Sequence, residues 1–184
     1  PDVFPPDPAV PARYGLKPWQ YVVLRRSALA AHHDFGARGI SGRLLQRVRS
    51  QLHGHAVVET VENSQSRTVA PWDLHHVLAF AKLLVSDSQS MTVEAAVLGT
   101  PSLRYSSFVG RISCLEELEE RYQLTRGFRP GQEEQLLAAL RELLAARELE
   151  ETWRKRRQAM LADKCNLTQW LIDFFEGLCS RRHR

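Results

Sequence analysis

The side chains in this sequence best suited to chemistry are suited to holding an anion. Arg25 ends the apolar run Tyr21-Val-Val-Leu, Arg104 ends the run that begins at Pro101, and Arg111 lies close behind it. Guanidinium forks match phosphate oxygens two at a time. Between them, Asp87-Ser88-Gln89-Ser90 follows Leu83-Leu-Val85 and leads straight into a helical pattern. Hydroxyls and open helix N-terminal amides then fall together, a setting for phosphate. Glu94 follows one turn later, where a carboxylate can accept two hydrogen bonds from the vicinal hydroxyls of a ribose. Phosphate plus ribose means a nucleotide or a nucleotide sugar. Each group also has a structural alternative: Ser88 and Ser90 as helix caps, Glu94 in a surface ion pair, Arg104 in a buried one.

His32 and His33 stand in the segment after Arg25. Adjacent residues in an extended loop point in different directions, so a shared metal is not expected, and no metal site is assigned. One of the two, facing the crevice, would serve as proton donor or phosphate ligand. Gly36, Gly39 and Gly42 follow at three-residue spacing, which is not the dinucleotide fingerprint. They either shape turns or admit a ligand.

These residues need elements to position them, and the alternation supplies them. Strands are predicted at 21–25, 55–61, 83–85, 101–105 and 125–128. Helices are predicted after Ser41, from Pro71 and Asp73, over 90–98 with Gly99 as C-cap, and over 115–122. Strand-helix alternation with short connections predicts an α/β, Rossmann-like parallel sheet with helices on both faces. In such a sheet the ligand sits beyond the carboxyl ends of the strands, where the residues above fall. From 131 the period stays helical, and long helices close the chain. The last, with Trp170, Leu171, Phe174 and Phe175, either packs into the core or docks on a missing domain.

Five of the nine prolines lie in the first eleven residues, so residues 1–19 are expected to form an extended interdomain linker. With no methionine at its start, the chain is expected to continue an upstream segment. Residues 20–164 make the binding domain and 165–184 the terminal helix. At 184 residues, 43% hydrophobic and 25% charged, the chain suits one globular domain with a real core, and no membrane span is expected. The formal charge of +4 is uneven: residues 20–50 hold six arginines against Asp34. The basic run Arg154 to Arg157 is offset by acidic neighbours, so no nucleic-acid partner is expected. Three widely spaced cysteines form neither a disulfide framework nor a zinc site, and a cytoplasmic location is expected.

The string from Asp87 through Glu94 to Gly99-Thr-Pro101 resembles the nucleotide-sugar motif of the GT-B superfamily, as found in the non-hydrolysing UDP-N-acetylglucosamine 2-epimerases. Nearly the whole chain also resembles an uncharacterised archaeal and bacterial family of GT-B-like proteins. That likeness is carried by Tyr21 to Arg25, Ala31 to Gly36, Asp87 to Pro101, Ser107 to Ser113, Glu116 to Glu119 and Leu124 to Phe128. The resemblance implies the C-terminal half of a GT-B fold, with a UDP-sugar or similar nucleotide sugar as substrate and no further cofactor. By it Ser88 and the amides at 89–90 hold the diphosphate, Glu94 the ribose, and His32 or His33 the sugar. Arg25, Arg104 and Arg111 neutralise charge. Gln89 and Ser90 replace the epimerases' paired glycines and Val93 their first glutamate. That departure favours a glycosyltransferase over an epimerase and leaves a non-catalytic binding module open. The partner N-terminal Rossmann-like domain is absent from the chain, so the isolated half is expected to be inactive. The oligomeric state stays open.

Overall fold

The computed structural model describes residues 4–27, 38–61 and 68–181, with side chains to residue 176. Five strands form one parallel sheet in the order β2-β1-β3-β4-β5. They are β1 (Tyr21–Arg26), β2 (Ala56–Val61), β3 (Leu83–Ser86), β4 (Ser102–Tyr105) and β5 (Thr125–Phe128). The central strands are buried on both faces: Tyr21 to Leu24, Leu83 to Ser86 and Ser102 to Tyr105 are inaccessible or nearly so. That is why they read as continuous apolar runs rather than as alternations.

Two apolar layers cover the sheet. One holds Leu44, Leu45 and Val48 of α2 (Gly42–Gln51), with Leu136, Leu137 and Leu140 of α6 (Glu133–Ala145) and Trp153 of α7 (Leu149–Asp163). The other holds Val77 and Leu78 of α3 (Leu74–Ala79) and Met91 and Ala95 of α4 (Gln89–Leu98). Trp153 is buried, and its indole N–H donates to Leu124 O at 2.9 Å, so the large side chain leaves no orphaned donor. Ser41 caps α2 by accepting from Leu44 N at 3.2 Å, and Gly99 ends α4 at φ 88°, where a side chain would be strained. Between β4 and β5, α5 spans Ser113–Glu120.

The N-terminal segment is not uniformly extended, contrary to the expectation for a proline-rich linker. Ala9–Arg13 form a short helix, α1, and Val10 is buried in the α3–α4 layer. Pro8 occupies the N-cap position and Pro11 lies in the first turn, where backbone N–H groups have no intrahelical partner and proline costs little. Asp7 N donates to His76 Nδ1 at 2.9 Å, and Tyr14 Oη donates to Asp73 Oδ2 at 2.7 Å, which tie the segment to α3.

The terminal helix α8 (Leu167–Arg181) behaves in the opposite way. Every described side chain from Cys165 to Glu176 is exposed, including Trp170 at 51% and Phe175 at 59%. Its aromatics stack on one another rather than on the sheet domain, with Trp170 and Phe174 rings 5.3 Å apart. The core-packing alternative for these residues is thereby overturned. Truncation after Lys164 should leave the unfolding free energy within about 0.5 kcal/mol of the full chain, measured by urea titration. No described helix is long and apolar enough to cross a membrane.

Candidate functional site

In a sheet of order 2-1-3-4-5, connections leave β1 towards β2 on one side and reach β3 on the other, so a crevice opens between the carboxyl ends of β1 and β3. Arg25, Ser27, Ser86 and Asp87 stand there, and Arg25 pairs in register with Ser86.

Asp87 closes the floor of the crevice. It is 3% exposed, and its two carboxylate oxygens are taken by backbone amides, Ser27 N at 2.6 Å and Ile40 N at 2.9 Å. One carboxylate thus ties the residue that follows β1 to the residues that precede α2. Gly39 permits this, because a Cβ there would overlap Asp87 Oδ2. Burial pushes the Asp87 carboxyl above the usual carboxylate range, against the opposing pull of the two amides. Asp87 thus links the end of β1 to the start of α2, a correction to its expected contact with substrate.

The start of α4 forms one wall. Ser88 is its N-cap, with Oγ 3.4 Å from Met91 N and 3.3 Å from Ser90 Oγ. Ser90 is exposed and no acidic residue occupies the first turn. The amides of Gln89 and Ser90 face no carbonyl of their own helix, which leaves them open to an anion. Arg25 falls on the β1 face that carries α3 and α4 and is half-buried. Its Nε is buried without a hydrogen-bond partner among the described residues. Glu94 sits further along α4, with Oε2 3.1 Å from His75 Nε2, and both side chains are partly exposed.

Arg104 is not in the crevice at all. Its side chain is wholly buried on the α4–α5 side of β4, with Nη1 2.8 Å from Gln89 Oε1 and Nη2 3.3 Å from Glu116 Oε1. Glu119 lies 3.9 Å away. Burial pulls the guanidinium below its usual range, while Glu119 and Glu116 oppose that. The structural ion pair is the reading that holds, and charge neutralisation of a ligand by Arg104 is corrected. Gln89 is drawn into the same network, since its amide nitrogen donates to Ser106 Oγ at 2.9 Å and to Asp87 O at 3.1 Å. Only its backbone remains for a ligand. Arg111 is exposed, in the turn that precedes α5.

The chain superposes on the calicheamicin glycosyltransferase CalG4 with a TM-score of 0.57 and 16% identity, over 90% of this chain and 45% of that one. Against the spinosyn forosaminyltransferase SpnP the values are 0.53 and 16%, over 80% and 41%. Against the wall teichoic acid polymerase TagF they are 0.51 and 10%, over 96% and 48%. The chain has the fold of one Rossmann-like half of a GT-B structure. The chain spans less than half the length of each of these structures. No protein-family model and no curated protein matches its sequence.

In this domain the carboxyl end of β1, with Arg25, and the start of α4, with Ser88, Ser90 and the first-turn amides, border one crevice, with Glu94 on the same helix. The structure sets Asp87, the Gln89 side chain and Arg104 beneath that surface. His32 and His33 lie outside the described residues. No group of three or more His, Cys, Asp or Glu that could hold a metal occurs among the described residues. Sequence reasoning missed a second set on the α2–α6 side. Tyr105 donates to Glu133, and Ser107 exchanges hydrogen bonds with the Arg38 backbone at 3.0 Å each. The signal available was Tyr105 at a strand end and Glu133 at a helix start, which together face the same sheet edge.

Proposed function

We propose that this chain is the nucleotide-sugar-binding, C-terminal half of a GT-B glycosyltransferase, and that a second Rossmann-like domain, N-terminal to it, completes the cleft. The observation that carries this is the open N-terminus of α4 at the β1–β3 switch point. There Ser88, Ser90 and two amides without helix partners follow the end of β3, beside the end of β1 that carries Arg25, whose Nε lacks a partner among the described residues. The diphosphate would lie across that helix end, where dipole and amides both favour negative charge. Glu94 would turn from His75 to the ribose hydroxyls. His32 or His33 would face the sugar, as acid/base or phosphate ligand. Arg111 would screen the outer phosphate. The likeness to the UDP-N-acetylglucosamine 2-epimerases and to the uncharacterised archaeal and bacterial family belongs to this proposal, as does a cytoplasmic location. Transferase chemistry is preferred to epimerisation because Gln89 stands where the epimerases have glycine, and its side chain is built into the wall. The exposed apolar stripe of α8 would dock on the other domain, consistent with the two-fold greater length of the GT-B structures matched.

The test is calorimetric titration with UDP and with 2′-deoxy-UDP. UDP is expected to bind, the deoxy form about tenfold more weakly, and Glu94→Ala to remove that difference, since one charge-assisted hydrogen bond is worth about 1.5–3 kcal/mol. Equal binding of both nucleotides to the unaltered chain would refute the ribose role. A second reading, a non-catalytic binding module of the same fold, is favoured by the internal engagement of Asp87, Gln89 and Arg104, which leaves few groups free for chemistry. Reconstitution with the N-terminal half separates the two: nucleotide-sugar turnover supports the enzyme, and binding without turnover supports the module.

A further inference from the structure

On the other face of the sheet edge from α4, a cleft of about 660 Å³ opens between the start of α2, the end of β4 and the turn before α6. It is within the size range of small-molecule sites. Its rim is held rigidly. Arg38 exchanges two backbone hydrogen bonds with Ser107, Ile40 N is fixed on Asp87, and Ser41 is committed to capping α2. Two kinds of group meet in it. Arg38 is exposed and has no carboxylate partner among the described residues. Across from it, Glu133 accepts from Tyr105 Oη and from Gly131 N at 3.1 Å. The Tyr105 hydrogen bond is the main reason that Glu133 is held below the usual carboxylate range, and it fixes the ring and the carboxylate as a unit. Burial and that same partner push the Tyr105 phenol up to about 12.

A bare anion fits poorly, because Glu133 repels it, and a bare polyol leaves Arg38 unused. The pair is satisfied by one molecule that carries an anionic group at one end and hydroxyls at the other. Phosphate would meet the Arg38 guanidinium, while hydroxyls donate to Glu133 and to the phenolic oxygen of Tyr105. We propose that the cleft lined by Arg38, Ser41, Tyr105, Gly131 and Glu133 is a second ligand site, specific for a phosphorylated sugar or polyol. The site does not depend on nucleotide binding at α4, because it shares no side chain with that crevice.

The experiment is a titration of the isotopically labelled 184-residue chain with glucose 6-phosphate, inorganic phosphate and glucose, read from amide chemical shifts. Glucose 6-phosphate is expected to give saturable shifts at residues 38–41, 131 and 133, and to bind about tenfold more tightly than either fragment. Arg38→Ala should weaken both phosphate-bearing probes about tenfold. Glu133→Gln, which keeps shape and packing, should weaken glucose 6-phosphate alone, and Glu94→Ala should change nothing here. Absence of saturable shifts, inorganic phosphate binding as tightly as glucose 6-phosphate, or indifference to Arg38→Ala and Glu133→Gln would each overturn the site. None of these outcomes bears on UDP binding, so the two proposals fail separately.

Discussion

Arg104→Ala is expected to cost about 3–5 kcal/mol of folding stability, a large share of what a domain of this kind possesses. The guanidinium is wholly buried, so its loss removes the bonds to Gln89 and Glu116 and leaves Glu119 beside an empty volume. Glu119 is already held above the usual carboxylate range by burial, with Arg104 among the influences that hold it down. Without the cation that carboxyl rises further. Urea denaturation at neutral pH measures the loss. Arg104→Met combined with Glu119→Gln should recover at least half of it, because a neutral side chain needs no counter-ion and the glutamine oxygen can still accept from Gly127 N, as Glu119 does at 2.7 Å. UDP affinity of whatever remains folded should be unchanged. A variant that stayed fully stable but lost UDP would return Arg104 to the ligand site.

Asp87→Ala is the second large effect, expected at about 2–4 kcal/mol, since each buried amide left without an acceptor costs about 1–3 kcal/mol. Gly39→Ala should destabilise by the same route, as its Cβ drives Asp87 off Ile40 N. Asp87→Asn is informative for a different reason. The folded-state carboxyl titrates above its ordinary value of 3.8. A raised folded value means that the group's contribution to stability is fully present below the unfolded value and is lost as pH rises through the folded one. The negative charge on the buried carboxylate therefore weighs against folding. Stability of the unaltered chain should fall as pH rises through the weakly acidic range above 3.8, and Asp87→Asn should remove that slope. It should also be less stable than the parent across that range, because its NH2 group cannot accept from Ser27 N or Ile40 N, whereas either carboxyl oxygen can. Thermal melts over that pH range check both points.

The parallel sheet was readable from the chain because burial on both faces demands contiguous apolar runs, and Tyr21 to Leu24 and Leu83 to Val85 are such runs. Helix ends were readable where a cap leaves a signature, as at Ser41 and Gly99. Three things were not. A charge at a strand end shows its sign but not its direction, so Arg104 and Asp87 read as ligand groups when both face inward. Prolines mark an absent donor, and a first helical turn needs none, so α1 was hidden in an apparent linker. The stripe of α8 has the spacing of a core helix, and spacing does not say which body it packs against. Tyr105 and Glu133 lie 28 positions apart and meet only when β4 and α6 are in place.

The role proposed for the start of α4 is to receive the diphosphate of a nucleotide sugar. Amide chemical shifts of the isotopically labelled chain during a UDP titration test it most directly. Saturable shifts are expected to concentrate at Ser88, Gln89 and Ser90 and to extend to Glu94, with Ser90→Asp weakening UDP at least tenfold through like-charge repulsion at the helix N-terminus. Unmoved amides at 88–90 at millimolar UDP, or the same affinity in Ser90→Asp, would contradict it.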